Sequence, residues 1–321
     1  MADRLRDDKG FGTAIANAAE GLGRDPGFVE KDYWVTQVLR ALTDRYSASV
    51  VFKGGTSLSK GYGIINRFSE DVDILVRPKD ALSIKNGEQR LLEITEHVAA
   101  ELGVPWEPKR NPSRGRNASR ADVLRYPQTI EPAVEVPIER DGVLLETGYG
   151  DGREPARIVE ITPMLCEPLG IDPNEFSDTR PFDIAALDPL RTLLEKVVLL
   201  HHVASTFDGE GMDQRIGRHY HDVDRLLAHQ PTLNQLRDGP DDVKNLITDI
   251  ERISEAQYGG STPRPKAGFG AGPAFSPEPG TELRAWLKER YDAAEALMPD
   301  ARKWPKFETV LNRIGKHSDL F

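Results

Sequence analysis

Apolar positions recur at helical spacing near the start of the chain. Residues 10–22 and 26–46 predict two helices, parted by Gly23-Arg24-Asp25-Pro26, a turn whose proline falls at the start of the second. There Val29, Trp34, Val35, Val38, Leu39 and Leu42 form one stripe, read as a packing face. The period then changes. Ser49 to Phe52 is a β-branched apolar run that enters Gly54-Gly55, and Glu70 to Val76 alternates charged with apolar residues, as a half-buried strand does. Residues 82–102 return to helical spacing, with Ile84, Leu91, Leu92, Ile94, Val98 and Leu102 as core candidates. Four short β-like runs follow at 123–126, 134–138, 143–147 and 157–161, with turns at Asp141-Gly142 and across 148–152.

From Asp188 the pattern is helical. Pro189 to Leu200 is apolar almost throughout and predicts a buried helix, interrupted by Lys196. Residues 216–229 predict another. Residues 258–280 are dense in glycine and proline and read as a long exposed loop. Two helices close the chain at 282–297 and 306–316, with stripes at Leu283, Trp286 and Leu287 and at Phe307, Val310, Leu311 and Ile314. The order is therefore α/β followed by all-α, with no internal repeat.

Composition narrows this. The chain has 321 residues, 38% of them hydrophobic, enough for two modest cores. A net charge of −10 speaks against wholesale nucleic-acid binding, so an RNA substrate would need a local basic patch. The most basic stretch supplies a candidate: Lys109, Arg110, Arg114, Arg116, Arg120 and Arg125 against Asp122 alone. It reads either as a solvated loop or as a ribbon meeting an RNA backbone or triphosphate. The single cysteine, Cys166, forms no internal disulfide and suits a reducing compartment. No targeting segment or membrane span is apparent, so a cytoplasmic protein is expected.

The chemistry concentrates between Val51 and Val76. Gly54-Gly55 allows positive φ and close backbone approach to a ligand, and Thr56 or Ser57 can cap the helix that follows. Backbone N–H groups at such a strand-to-helix turn suit phosphate. Asp71 and Asp73, two apart on a strand, share a face. Carboxylates roughly 6 Å apart repel by roughly 3 kcal/mol at an effective dielectric near 20, so a cation belongs between them. Hard oxygen ligands beside a phosphate site suggest Mg²⁺. His219 and His221, with His201 and His202, are poorly spaced for zinc, since i, i+2 neighbours on a helix splay apart.

Gly54-Gly-Thr-Ser-Leu-Ser-Lys60 followed by Arg67-Phe-Ser-Glu-Asp-Val-Asp73 resembles the signature of the AbiEii/AbiGii family of nucleotidyltransferase-like toxins, which includes the MenT toxins. That family lies in the DNA polymerase β-type nucleotidyltransferase superfamily. Glu30-Lys-Asp-Tyr-Trp-Val35 extends the resemblance upstream. It implies a nucleotidyltransferase α/β domain over residues 1–170, a mixed sheet with flanking helices, and a helical C-terminal domain over 171–321 contributing Lys196 and Asp222, with a cleft between the two. The resemblance implies catalytic roles for Asp71, Asp73, Lys196 and Asp222. It implies nucleotide contacts, or support of the turn that makes them, for Gly54, Gly55, Thr56, Ser57, Lys60, Arg67, Ser69 and Arg218. The superfamily places a third metal carboxylate on a neighbouring strand. Glu135 and Glu146 are the choices, and Val143-Leu-Leu-Glu-Thr-Gly148 resembles the family's strand, favouring Glu146. Also implied are Mg²⁺, an NTP substrate (CTP or another pyrimidine nucleotide favoured, GTP the alternative), an RNA acceptor such as the tRNA 3′ end, and a cognate antitoxin. Nucleotidylation of a protein, or nucleotide binding as a regulatory module, is the competing reading.

Overall fold

A computed structural model describes the chain except residues 1–2, 70, 78–83, 111–117, 131–141, 151–154, 210–214, 259–261, 279 and 299–300, and the side chains of 84–85, 256–258 and 301. The expected strand at 134–138, Glu135, Arg114 and Arg116 thus lie outside the described residues.

The chain forms two compact units. The first comprises Met1–Gly63, Phe68–Asp151 and Ala156–Leu187. Its helices are α1 (Phe11–Leu22), α2 (Pro26–Tyr46), the single turn α3 (Gly54–Thr56), α4 (Ile84–Leu102) and α5 (Cys166–Leu169). Its seven strands are β1 (Val50–Lys53), β2 (Asp71–Val76), β3 (Trp106–Pro108), β4 (Ser119–Arg125), β5 (Gly142–Tyr149), β6 (Ala156–Ile161) and β7 (Phe182–Leu187). They form one mixed sheet in the order β3-β4-β5-β2-β1-β7-β6. The central strand β2 pairs antiparallel with β1 and parallel with β5, in a register that sets Asp73 opposite both Lys53 and Glu146.

Local chemistry explains the elements. Pro26 opens α2 and the Asp25 side chain accepts from the Gly27 N–H, so the predicted start is capped as the sequence suggests. The alternation along β2 sends Val72, Ile74 and Val76 into a core shared with Val29, Val38, Leu42, Ile94 and Leu145. Asp71 and Asp73 take the other face. The first unit extends to Leu187, beyond the boundary expected near 170, because β7 pairs with both β1 and β6.

The second unit comprises Ile64–Arg67, Gly152–Pro155 and Asp188–Phe321. It is largely helical: α6 (Pro189–Ser205), α7 (Gly217–Ala228), α8 (Gln230–Asp238), α9 (Pro240–Tyr258), α10 (Glu282–Ala293) and α11 (Phe307–Gly315). Asp188 caps α6 through the Leu190 N–H. The stretch 258–280, expected to be an exposed loop, is in its described part partly internal: Phe269, Ala274 and Phe275 are buried. Aromatic packing accounts for this, with Phe269 against His201 and Phe275 against Tyr220 and Phe321. Among the described residues no helix is long and apolar enough to cross a membrane.

Candidate active site

In the first unit, β1 runs into Gly54, whose φ of 76° lies in the left-handed region. A Cβ at Gly54 would stand 2.0 Å from Asp73 Oδ2, so the missing side chain is what lets the carboxylate reach the turn. Gly55 and Thr56 complete α3, and a π-type turn continues it over Ser57–Gly61. The Ser57 hydroxyl donates to the Gly54 carbonyl at 2.9 Å. The Thr56 hydroxyl lies 2.5 Å from the Asp71 carbonyl oxygen and 3.0 Å from the Ser69 hydroxyl, which ties the glycine turn to the start of β2. Gly54, Gly55, Thr56, Ser57, Ser69, Asp71 and Asp73 are thus assembled locally.

Glu146 on β5 stands in register with Asp73. Burial, and next to it the Asp73 carboxylate, push the Glu146 carboxyl up to about 7; Asp71 adds to the rise and Arg110 opposes it. The Arg110 guanidinium lies 3.2 Å from Glu146 Oε1. Three acids on neighbouring strands, with Glu146 made harder to ionise by the other two, are a donor set suited to a hard cation. Among the described residues, however, no three acidic, histidine or cysteine side chains converge as a complete metal cage. The set therefore fits Mg²⁺ held by one or two carboxylates with substrate phosphates completing the shell, rather than an all-protein site.

Lys60 turns elsewhere. Its ammonium donates to Asp32 Oδ1 at 2.7 Å and to the Thr162 carbonyl at 3.2 Å, with side-chain exposures of 7% and 9% for the pair.

In the second unit, Arg67 grips Asp222 with two hydrogen bonds of 2.7 Å, and Lys196 Nζ lies 2.9 Å from Asp222 Oδ2. All three side chains are buried. Burial alone would raise the Asp222 carboxyl, but Arg67 and Lys196 outweigh it and hold it well below the usual carboxylate range. Burial lowers Lys196, helped by Arg67 and Arg218 and opposed by Asp222. His219 is depressed well below its ordinary value by burial and by Lys196 and Arg218, and its Nδ1 lies 3.0 Å from Lys196 Nζ. The resemblance offers Arg67, Lys196 and the Arg218–Asp222 segment as three separate stretches; here they form one charge cluster. Arg110 entered the sequence reading as part of the basic patch, Asp32 as part of the upstream resemblance and His219 as a poorly spaced zinc candidate; their partners Glu146, Lys60 and Lys196 were not foreseen, since nothing in the local pattern marks them.

No curated protein matches the sequence significantly. Among solved structures, MenT4, a nucleotidyltransferase toxin from Mycobacterium tuberculosis H37Rv, is similar over 94% of this chain and 98% of its own, with 16% identity and a TM-score of 0.49. The family described as "Nucleotidyl transferase AbiEii toxin, Type IV TA system" matches residues 37–313, a span that holds every residue of both clusters; Asp32, the partner of Lys60, lies just before it. The chain belongs to the AbiEii family of nucleotidyltransferase toxins from type IV toxin–antitoxin systems.

Proposed function

We propose that this toxin transfers a nucleoside monophosphate from an NTP to a hydroxyl of RNA, with the tRNA 3′ end as the favoured acceptor and a pyrimidine nucleotide as the favoured donor. The observation that carries the reading is the approach of Asp73 to the glycine turn at Gly54, with Glu146 in register beside it. A phosphate-binding turn and a cation site then serve one substrate. The acceptor oxygen forms a bond to the α-phosphorus, the bond from that phosphorus to the β-bridging oxygen breaks, pyrophosphate leaves, and the hydroxyl proton passes to solvent or a site carboxylate. Asp71 and Asp73 would hold Mg²⁺, with Glu146 beside Asp73 and substrate phosphates completing the shell; the ion would neutralise phosphate charge and make the attacking hydroxyl more acidic. Gly54 to Ser57 and Ser69 would orient the phosphates. The family resemblance assigns catalytic roles to Lys196 and Asp222 as well, and within the second unit these two form one charge cluster with Arg67 and Arg218.

The net charge of −10 favours a second reading, a protein acceptor, because a strongly acidic molecule repels an RNA backbone. A type IV system also implies a cognate antitoxin. The test supplies each labelled NTP and Mg²⁺ with tRNA or with cell lysate. Label on tRNA, lost by at least about a hundredfold in Asp71→Asn, is the expected result. Label on a protein band alone would replace the RNA acceptor with a protein one, and equal transfer by Asp71→Asn would overturn the site.

A further inference from the structure

Three consecutive charged residues of α2, Glu30, Lys31 and Asp32, are almost wholly buried. A buried charge is retained at a cost unless it is paired and hydrogen-bonded. Asp32 has both. One carboxylate oxygen takes the Lys60 ammonium and the other accepts the Met164 N–H at 2.9 Å. Lys60 in turn lies in the π-type turn that continues the glycine turn, and a turn of that kind is less regular than an α-helix and needs outside support. Its support comes from several sides. The Tyr62 hydroxyl donates to the Ala186 carbonyl on β7, Gly61 leaves the space in which a Cβ would meet Val159 of β6 at 3.0 Å, and Lys60 bonds both Asp32 and Thr162. The Ser57 hydroxyl then carries the restraint back to the Gly54 carbonyl.

We propose that Asp32 is a positioning residue for the phosphate-binding turn: through Lys60 it holds Ser57–Gly61 in place, so that Gly54 to Ser57 keep one geometry beside Asp73. Lys60 is then a strut rather than a phosphate ligand. This rests on the nucleotidyltransferase reading of the site. The pair is satisfied inside the protein, the lysine has given its charge to Asp32, and no phosphate is required to explain its burial.

The two roles of Lys60 separate in a double-mutant cycle read as the dissociation constant for Mg²⁺ with ATP, CTP, GTP or UTP, taken for the nucleotide the wild type binds. If Lys60 is a strut, Asp32→Asn and Lys60→Met each weaken binding by about tenfold, and the double variant is no weaker than either alone, because one interaction is removed in all three. Glu30→Gln is the control for lost stability. It lies on the same helix but accepts the Thr129 and Ile130 N–H groups, so it lowers the melting temperature and leaves nucleotide affinity unchanged. A phosphate-binding Lys60 gives the opposite pattern: Lys60→Met weakens binding while Asp32→Asn leaves it equal or tighter, and that result overturns the proposal. So does wild-type affinity in both single variants, or an equal loss in Glu30→Gln. Failure of the wild type to bind any of the four nucleotides overturns instead the reading of the site, and the strut with it.

Discussion

At Gly54 one hydrogen atom decides what a neighbouring acid can do. Alanine there faces a left-handed backbone and a contact of 2.0 Å with Asp73. Gly54→Ala is expected to cost about 1–3 kcal/mol of stability through strain. By displacing Asp73 about 1 Å it should lower the transfer rate by about a hundredfold. Denaturant melts and label transfer on the same preparation check this, and an alanine variant with full activity would refute the close-approach account. Glu146 makes a second prediction. Its folded pKa is raised from the usual 4.5 to about 7, so the folded metal-free protein binds this proton more tightly than the unfolded chain. That stability is present at low pH and lost as pH rises from 4.5 through about 7. Glu146→Gln cannot lose it. In chelator, the variant should gain on the wild type by on the order of 2 kcal/mol between pH 5 and pH 8, after allowance for solvent screening. Urea unfolding at the two pH values measures the difference, and parallel pH profiles would refute it.

At the scale of elements, α7 carries a residue with a proposed catalytic role that also holds a buried ion network together. It delivers Asp222 to Arg67 and Lys196, all buried. Asp222→Asn strands two buried cations and is expected to destabilise the protein by about 3–5 kcal/mol at neutral pH. Because the folded pKa of Asp222 is depressed, its contribution is complete above the unfolded value of 3.8 and disappears as pH falls through the folded one. Loss of transfer in an Asp222 variant must therefore be read per folded molecule, by denaturation and activity together; an Asn variant as stable as the wild type would dispose of the ion-network account. Elements also differ in how far they could be read in advance. The start of α2, the alternation of β2 and the ends of α11 follow from capping, period-two patterning and a regular stripe, all of them local signals. Strand β7 was missed, because Phe182-Asp-Ile-Ala-Ala-Leu187 is short and weakly alternating and gains its identity from pairing with β1 and β6. Helices α8 and α9 were missed too: their polar sequences and the Gly239-Pro240 break gave no strong stripe.

For the whole molecule, the family, the mixed sheet and the helical second half were all legible in the residues, since glycine turns, Asp-x-Asp spacing and hydrophobic period are written over short stretches of chain. Local pattern states which face an element buries, because side-chain direction repeats with the backbone. It does not state what that face meets. The extension of the first unit to Leu187, the inclusion of Ile64–Arg67 in the second, and the burial of Phe269 and Phe275 all depend on partners distant in sequence. So do the charge pairs. Asp32 finds Lys60 and Arg67 finds Asp222 across 28 and 155 positions, and Asp73 meets Glu146 only because β2 and β5 pair in one register. The sequence by itself determined the chemical groups available at Gly54, Asp71, Asp73, Lys196 and Asp222. Only the tertiary structure decided which charges neutralise which, because a buried charge takes its pKa and its role from whatever the fold brings within a few ångströms of it.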